Sequence, residues 1–478
     1  VRYKAIVEQV ITDIQQDKLE YGQRMPSLRT LASQFGVSMT TALNSYRSLE
    51  AMGWIIARPQ SGFFVSSPVR EGAAPHQPHF RSKLSVISDY RSQSSVEVQP
   101  SAGPFGISQL APHHLPTQAL QRSMKRGVQS LGEGIHAYPD AQGLESLRVA
   151  LSDHFSESGL PISSEELVIS GGCIDAVRMA LEVVTQPNDG VAISSPCFNG
   201  LLELLSVMQR KVVEIPCTKE GIDLEQLEVH IKNGDVVAGL FSSSHMNPHG
   251  ISLHVEQKQR LAELANHYQM PIIEDDIYVE LGYEKAIPLP IKYWDKGGYV
   301  LWCGSVSKTL SAGIRLGWCS AGRYQEALIR QSYVSKLGQN IVVQAGLADF
   351  IRSGEYRKHL NRVRTLLFTN ICAYRVLLSE NLPSNAAISQ PHGGLVLWVQ
   401  VPDLDVDQFR GSVIRADIDI RLGSFFTTRD LYQDYFRVSA GWMLGDAYDG
   451  DRTVEEVLLA LCGLACDASH GGEFVFEI

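Results

Sequence analysis

The sequence has no run of 18 apolar residues, no secretory leader pattern at its start and no CxxC pair. The first absence argues against a membrane-spanning helix, the second against export. Eight cysteines are scattered from Cys173 to Cys466, and Cys462 and Cys466 have no companion ligands nearby in sequence. Such thiols read as buried and reduced in a cytoplasmic protein, with no zinc or other metal site expected. A surplus of positive charge is missing too. Lys and Arg number 42 against 52 Asp and Glu, a net charge of −10. That argues against a protein coated along its length in nucleic acid, while leaving room for one basic module. Internal repeats are also lacking.

What is present is an ordinary globular composition, 44% hydrophobic and 20% charged over 478 residues. That length predicts about two to four domains. Residues 1–65 reverse the charge of the rest, with seven basic residues against five acidic ones. In YKAIVEQVITDIQQDKL, Ile6, Val10, Ile14 and Leu19 fall on one helical face. Gly22 and Pro26 break that helix. Ser27 is placed to cap a second, with Leu28, Leu31, Ala32 and Phe35 inward; Gly36 ends it. Ser38 is placed to cap a third, with Ala42, Leu43, Tyr46 and Leu49 inward, and Gly53 stops it. WIIARPQSGFFV reads as two strands around a tight turn. The sum is a winged helix-turn-helix over residues 1–66.

Residues 67–100 are rich in Ser and Pro and read as a linker. From 101 to 344 short β-branched runs alternate with helical patterns, as in an α/β domain with a mainly parallel sheet. Residues 345–478 mix helix and strand differently, as in an α+β subdomain.

A helix-turn-helix places its second helix in the major groove, while flanking groups hold phosphates. Ser38, Thr40, Thr41, Asn44 and Arg47 belong to that helix and its start, and Arg29 is placed for phosphate. Ser61 and Gly62, at the wing tip, are placed for the minor groove. The words GQRMPSLRTLASQFGVSMTTALNSYRSLEAMGWI and ARPQSGFFV resemble the GntR family of bacterial regulators. Met39 departs from that family's frequent basic residue and implies a different operator preference.

A second set of words carries chemistry. GSVSKTLSAGIRLGW (304–318) places Lys308 among small hydroxyl residues, with Arg315 seven positions on. SGGCIDAV (170–177) is a glycine turn opening a helix, where the backbone of Gly172, Cys173 and Ile174 is placed to hold phosphate. SPCFNG offers Phe198 as a flat ring partner, and SHMNPHG offers Asn247 as a donor. EDDIY ends a strand with Asp275 and Tyr278. A lysine nucleophile, a carboxylate for a ring nitrogen, donors for a phenolic oxygen and a phosphate cradle are together what pyridoxal 5′-phosphate requires. Ser305, Ser307 and Arg315 join the phosphate donors. Cys173 is read as a small packed residue contributing its backbone, and His245 and His249 as loop residues. His113 and His114 give no interpretable signal.

With YPDAQGLESLR (138–148) and YFRVSAGW (435–442), these words resemble the fold-type I aminotransferases from about residue 100 to 465. The resemblance implies Lys308 as the Schiff-base lysine, Asp275 and Tyr278 as ring partners, and Arg315 on phosphate. It also implies Arg437 as receiver of an amino-acid carboxylate, and a homodimer in which Tyr138 reaches the partner subunit's phosphate. Joined to the GntR-type end, the whole chain resembles the MocR subfamily. That implies a regulator of double-stranded DNA operators that senses pyridoxal phosphate, an amine or an amino acid. A genuine aminotransferase carrying a DNA-binding domain is the alternative, since no part of the site is missing.

Overall fold

The computed structural model describes residues 2–15, 18–19, 23–51, 54–58, 62–65, 73–87, 90, 103–283 and 286–469. Helix α1 (Arg2–Gln15) buries Ile6, Val10 and Ile14, as its spacing requires. Helix α2 (Leu28–Gln34) is capped by Ser27, whose hydroxyl accepts from the Thr30 N–H at 3.2 Å. Ser38 caps α3 (Met39–Ala51) in the same way through the Thr41 N–H. Phe35 corrects the sequence reading: it is 38% exposed, because α2 ends at Gln34 and Phe35 has left the inward stripe. Strands β1 (Ile55–Arg58) and β2 (Gly62–Val65) form the wing, with Ile55 opposite Val65 and Arg58 opposite Gly62. Gly53 and Ser61 lie outside the described residues.

The stretch expected to be a linker is also corrected in part. Strand β3 (Leu84–Val86) lies within it and joins the edge of the main sheet, while Ser82 donates to Gln226 through both its N–H and its hydroxyl. An open sheet edge presents unpaired backbone groups, and this segment satisfies them.

The body then runs through α4 (Thr117–Leu131), α5 (Glu145–Glu157), β4 (Leu167–Ser170), α6 (Cys173–Val184), β5 (Gly190–Ser195), α7 (Asn199–Val207), β6 (Lys211–Thr218) and β7 (Gly221–Ile222). It continues with α8 (Leu224–Lys232), β8 (Ala238–Phe241), α9 (Val255–Tyr268), β9 (Ile272–Asp275), β10 (Val300–Ser305), β11 (Gly317–Ser320) and α10 (Gln325–Lys336). The sheet order is β3-β6-β5-β8-β9-β10-β11-β4, with β7 beside β6. Strands β4, β5, β6, β8, β9 and β10 run parallel; β3 and β11 oppose them. Helices cover both faces, so β4, β5, β8, β9, β10 and β11 are buried at every position. The strand ends Ser170, Ser195, Asp275 and Ser305 therefore gather on one edge, where α/β sheets bind ligands.

Helices α11 (Ile341–Arg352) and α12 (Glu355–Asn381) lead to a second sheet. The subdomain limit expected at 345 falls inside α11. Leu347, Ala348, Phe350 and Ile351 of that helix pack with Leu147, Leu151 and Phe155 of α5, so α11 is held by the large body. Beyond α12 come β12 (Ala387–Ile388), β13 (Val396–Gln400), α13 (Val406–Arg415), β14 (Arg421–Leu422), β15 (Tyr435–Ser439) and α14 (Val454–Asp467). The small sheet is antiparallel, ordered β12-β13-β15-β14, and its core packs against α12, α13 and α14.

Helices α4 and α11 approach through glycine. A Cβ on Gly127 would come within 2.4 Å of the Gly346 nitrogen. Gly127→Ala is expected to destabilise the full chain by about 1–3 kcal/mol through overpacking, read as a lowered denaturant midpoint with unchanged slope.

Candidate functional site

Two surfaces carry the candidate residues. On the first, Arg29, Ser38, Thr40, Asn44 and Arg47 are exposed, while Thr41 is half-buried with its hydroxyl 2.9 Å from that of Ser38. Thr41 therefore serves the start of α3 as much as its outer face. Gly62 is exposed at the start of β2 with φ +96°, a backbone that favours glycine. Arg24 was missed from the sequence. Its side chain lies 3.6 Å from where a Gly62 Cβ would stand, and its backbone bridges to Phe64, so a further cation flanks the wing.

The second surface lies at the strand ends of the large sheet. Strand alternation separates the three carboxylates of EDD. Glu274 accepts from Ser243 and from the backbone of Ile291 and Lys292; Asp276 accepts from the Trp302 indole at 3.1 Å. Asp275 points the other way and accepts from the Cys173 thiol at 3.0 Å. Cys173 is a buried, packed residue as read from the sequence, and its thiol adds a contact to Asp275 that the sequence did not show. Burial raises the Asp275 carboxyl, while the Cys173 hydrogen bond and the Lys308 charge pull it back down.

Lys308 donates to the backbone carbonyl of Ser108 at 2.6 Å. Desolvation and the nearby Arg437 lower its ammonium to about 8. The following residue, Thr309, is held on two sides. Its hydroxyl meets Tyr356, which donates to Glu280, and its carbonyl accepts from His359. The other Glu280 oxygen pairs with His154 at 2.5 Å. Tyr278 is buried and pushed up to about 12 by that burial, with Ser108 and Asn247 beside its hydroxyl.

At the phosphate end, Gly172 adopts φ +111° and precedes α6, whose N-terminus has no side-chain cap. The amides of Cys173 and Ile174 open that helix. A Cβ on Gly172 would lie 2.8 Å from the Arg315 guanidinium, which donates to the Gly171 carbonyl. Ser305 and Ser307 are buried and bonded to each other, hydroxyl to hydroxyl, at 2.7 Å. Phe198 is half-buried against the core cluster that contains Cys173 and Cys303. Tyr138 does not join this cluster; it is 87% exposed. His245 and His249 are buried, and desolvation holds both neutral down to about 3.

Arg437 in β15 is buried. It donates to Asn247 at 3.2 Å and to the Gly106 carbonyl, and its Nε has no partner. Gly106 and Ser108 belong to a strap, residues 103–111, that sequence reading missed. Backbone carbonyls serve there, and any residue type supplies one.

The fit to pyridoxal phosphate can be judged from these observations. An uncapped helix start beside an arginine suits a dianion. A depressed lysine suits carbonyl chemistry, and a buried carboxylate facing the same space suits a ring nitrogen. The residues fit.

Fold and site together define a DNA-binding winged helix joined to an aminotransferase-like body. Residues 106–443 match the family Aminotransferase class I and II, and residues 2–65 match bacterial regulatory proteins of the gntR family. The chain belongs to the class I and II aminotransferase family and carries a GntR-type DNA-binding domain. It is similar to YdcR of Escherichia coli strain K12, an uncharacterized HTH-type transcriptional regulator, at 32% identity over 93% of this chain and 96% of the relative. NorG of Staphylococcus aureus strain USA300, an HTH-type transcriptional regulator, is 26% identical over 80% of this chain and 87% of its own. Among solved structures, the α-aminoadipate aminotransferase LysN of Thermus thermophilus aligns with TM-score 0.71 and 20% identity, covering 79% of this chain and 95% of that one. A multiple substrate aminotransferase of Thermococcus profundus aligns with TM-score 0.70 and 22% identity, over 80% and 96%. These two speak for the fold. Among the described residues no helix is long and apolar enough to cross a membrane.

A lowered lysine has more neutral, nucleophilic amine at any pH below its ordinary value. The rate at which pyridoxal phosphate can be trapped on Lys308 by borohydride should therefore rise as pH increases through about 8. Peptide mass spectrometry at a series of pH values checks this, with Lys308→Ala as the blank.

Proposed function

We propose that this chain is a transcriptional regulator that holds pyridoxal phosphate at Lys308 and senses an amino acid or related amine there. The observation that carries this reading is the state of Arg437. It is a buried cation whose partners, Asn247 and the Gly106 carbonyl, are both neutral, and whose Nε has no partner. Removing a guanidinium from water costs free energy that neutral acceptors only partly offset. A ligand carboxylate would complete it with a bidentate, charge-assisted pair.

When bound, pyridoxal phosphate supplies a carbonyl that condenses reversibly with amines and a ring that accepts electrons. The chain supplies the rest. Gly172, Cys173 and Ile174 offer amides to the phosphate, with Arg315, Ser305 and Ser307 beside them. Asp275 would hold the ring nitrogen, with Cys173 orienting the carboxylate. Tyr278 and Asn247 would serve the phenolic oxygen, and Phe198 would be the flat partner of the ring. Tyr138, exposed on its own subunit, reaches the phosphate of a partner in a homodimer. To hold the cofactor, Lys308 would leave the Ser108 carbonyl; to take a ligand carboxylate, Arg437 would leave that of Gly106. Both contacts lie on one strap, so cofactor loading and ligand binding would each change what holds it. A ligand shifts an equilibrium only by binding its two states differently, and these contacts are where the states differ. The architecture supports placement in the MocR subfamily, acting on operator DNA through paired readers.

A second reading, turnover as an aminotransferase, is favoured by Lys308 itself, since a lysine lowered to about 8 can exchange protons near neutral pH. Formation of keto acid from an amino acid and an acceptor separates the two.

The test uses the promoter region beside the protein's own gene. The cofactor-loaded chain is expected to bind it, and an amino-acid screen is expected to find a ligand that changes both visible absorbance and DNA binding. Arg437→Ala should keep the absorbance of the loaded protein and lose both responses. Arg29→Ala should weaken binding to all sequences and reduce the salt slope by about 1. DNA binding and ligand response that are unaltered in Lys308→Ala would defeat the proposal.

A further inference from the structure

Two adjacent histidines lie outside the cofactor site, at the far end of the strap. His113 and His114 occupy a 3-10 turn, Pro112–His114, just before α4. Opposite them is Asp446, in the loop that follows β15. His113 Nε2 lies 3.1 Å from Asp446 Oδ1, and His114 Nε2 lies 3.8 Å from Oδ2. The two imidazole centroids are 4.1 Å apart, and one ligand atom from each of the three residues lies within 4.8 Å of the others.

We propose that His113, His114 and Asp446 bind a divalent transition metal of the zinc class, clasping the strap to the small subdomain. The close pairing with Asp446 accounts for His113 alone. It leaves His114 Nε2 buried, without a hydrogen-bond partner, and too far from Oδ2 to make one. A metal uses both imidazoles. Tetrahedral ligands about 2.0–2.1 Å from zinc stand roughly 3.4 Å from one another, so the three ligand atoms, now within 4.8 Å of one another, would draw together around the ion. Two imidazoles and a carboxylate leave a fourth position for water, and this mixed set suits zinc rather than magnesium or calcium, which take oxygen ligands.

The surroundings fix these ligands. Asp446 Oδ2 accepts from the Met443 N–H at 2.8 Å, and the Asp446 carbonyl accepts from Val454. The His114 carbonyl accepts from Arg362 of α12, whose charge opposes a cation and whose engagement with that carbonyl orients the turn. The Ala111 N–H donates to the Gly441 carbonyl, so turn and loop are already joined next to the site. A metal here departs from the expectation of none, which rested on cysteine spacing.

The experiment titrates Zn²⁺ into the full-length, cofactor-loaded chain in competition with a chromophoric chelator. One ion per chain is expected, with micromolar or tighter affinity and no displacement by excess Mg²⁺. His113→Ala and Asp446→Asn should each weaken it by at least the roughly 10–100-fold that loss of an outer-shell partner costs. Asp446→Asn keeps an oxygen for the Met443 N–H, and His113 is 53% exposed in its side chain, so both variants should fold; circular dichroism checks this. Cys372→Ser, at the one cysteine that is not fully buried, should leave binding unchanged. Absence of stoichiometric zinc, millimolar affinity only, or binding indifferent to both variants overturns the proposal.

Discussion

The amine of Lys308 rests on a backbone carbonyl, that of Ser108, and the guanidinium of Arg437 rests on another, that of Gly106. Much of the site follows from this pair of contacts. Two cationic groups stand close enough to depress the protonation of the lysine, and neither hydrogen-bonds to a carboxylate. A carbonyl satisfies a donor without cancelling its charge, so the space keeps a positive field that favours a phosphate and a carboxylate. The same strap is stitched to the small subdomain, where Ser439 donates to the Phe105 carbonyl and Ala111 donates to that of Gly441. Ser439 ends β15, the strand that carries Arg437. Strap, arginine and small sheet are therefore one connected piece.

Behind this piece the site is rigid. The residue after Lys308 is gripped through Tyr356, Glu280 and His154 on one side and His359 on the other, all of them buried. Asp275 sits at the end of a strand hydrogen-bonded on both edges, between two carboxylates that are engaged on the opposite face. A buried network such as the one around Thr309 fixes geometry at the cost of tolerating no partial loss. The contrast between this bonded wall and the neutral contacts of the strap says which side yields when a ligand enters.

The legible parts of the chain were those whose physics is local. Ser27 and Ser38 announce their helices because a cap acts within three residues. Asp275 could be picked from EDDIY because the word falls at the carboxyl end of a strand, where α/β sheets bind ligands. Gly172 stood out because a glycine turn opens a helix there; its φ of +111° beside Arg315 is what the structure adds. What escaped depends on distant partners or on groups without a side-chain signature. Gly106 and Ser108 act through carbonyls. His113 and His114 acquire meaning from Asp446, far along the chain. Leu84–Val86 look like linker until β6 offers them an edge, and the limit expected at 345 cuts a helix whose allegiance to α5 is decided by packing. The Cys173 thiol reads as filler because nothing in its own neighbourhood shows that Asp275 lies 3.0 Å away.

Sensing and turnover make different demands on such a site. Turnover needs Lys308 to return repeatedly as a base; sensing needs only that ligand contacts differ between two arrangements of the chain. Exchanging a hydrogen bond to a neutral carbonyl for a charge-assisted pair is worth about 1–2 kcal/mol. Coupling energies of about 1–3 kcal/mol shift affinity roughly 5–150-fold, so one or two such exchanges suffice for a regulatory response. Helix α12 gives that response a route: its Tyr356 and His359 hold Thr309, its Arg362 holds the His114 carbonyl, and recognition helix α3 approaches it. Adjacency alone would transmit nothing. On the proposed function, the strap would supply two settings, since its cofactor end is held by contacts that cofactor and ligand would replace and its histidine end by contacts they leave intact. Such a segment would pivot rather than detach, and α12 bonds both the residue after Lys308 and the His114 carbonyl.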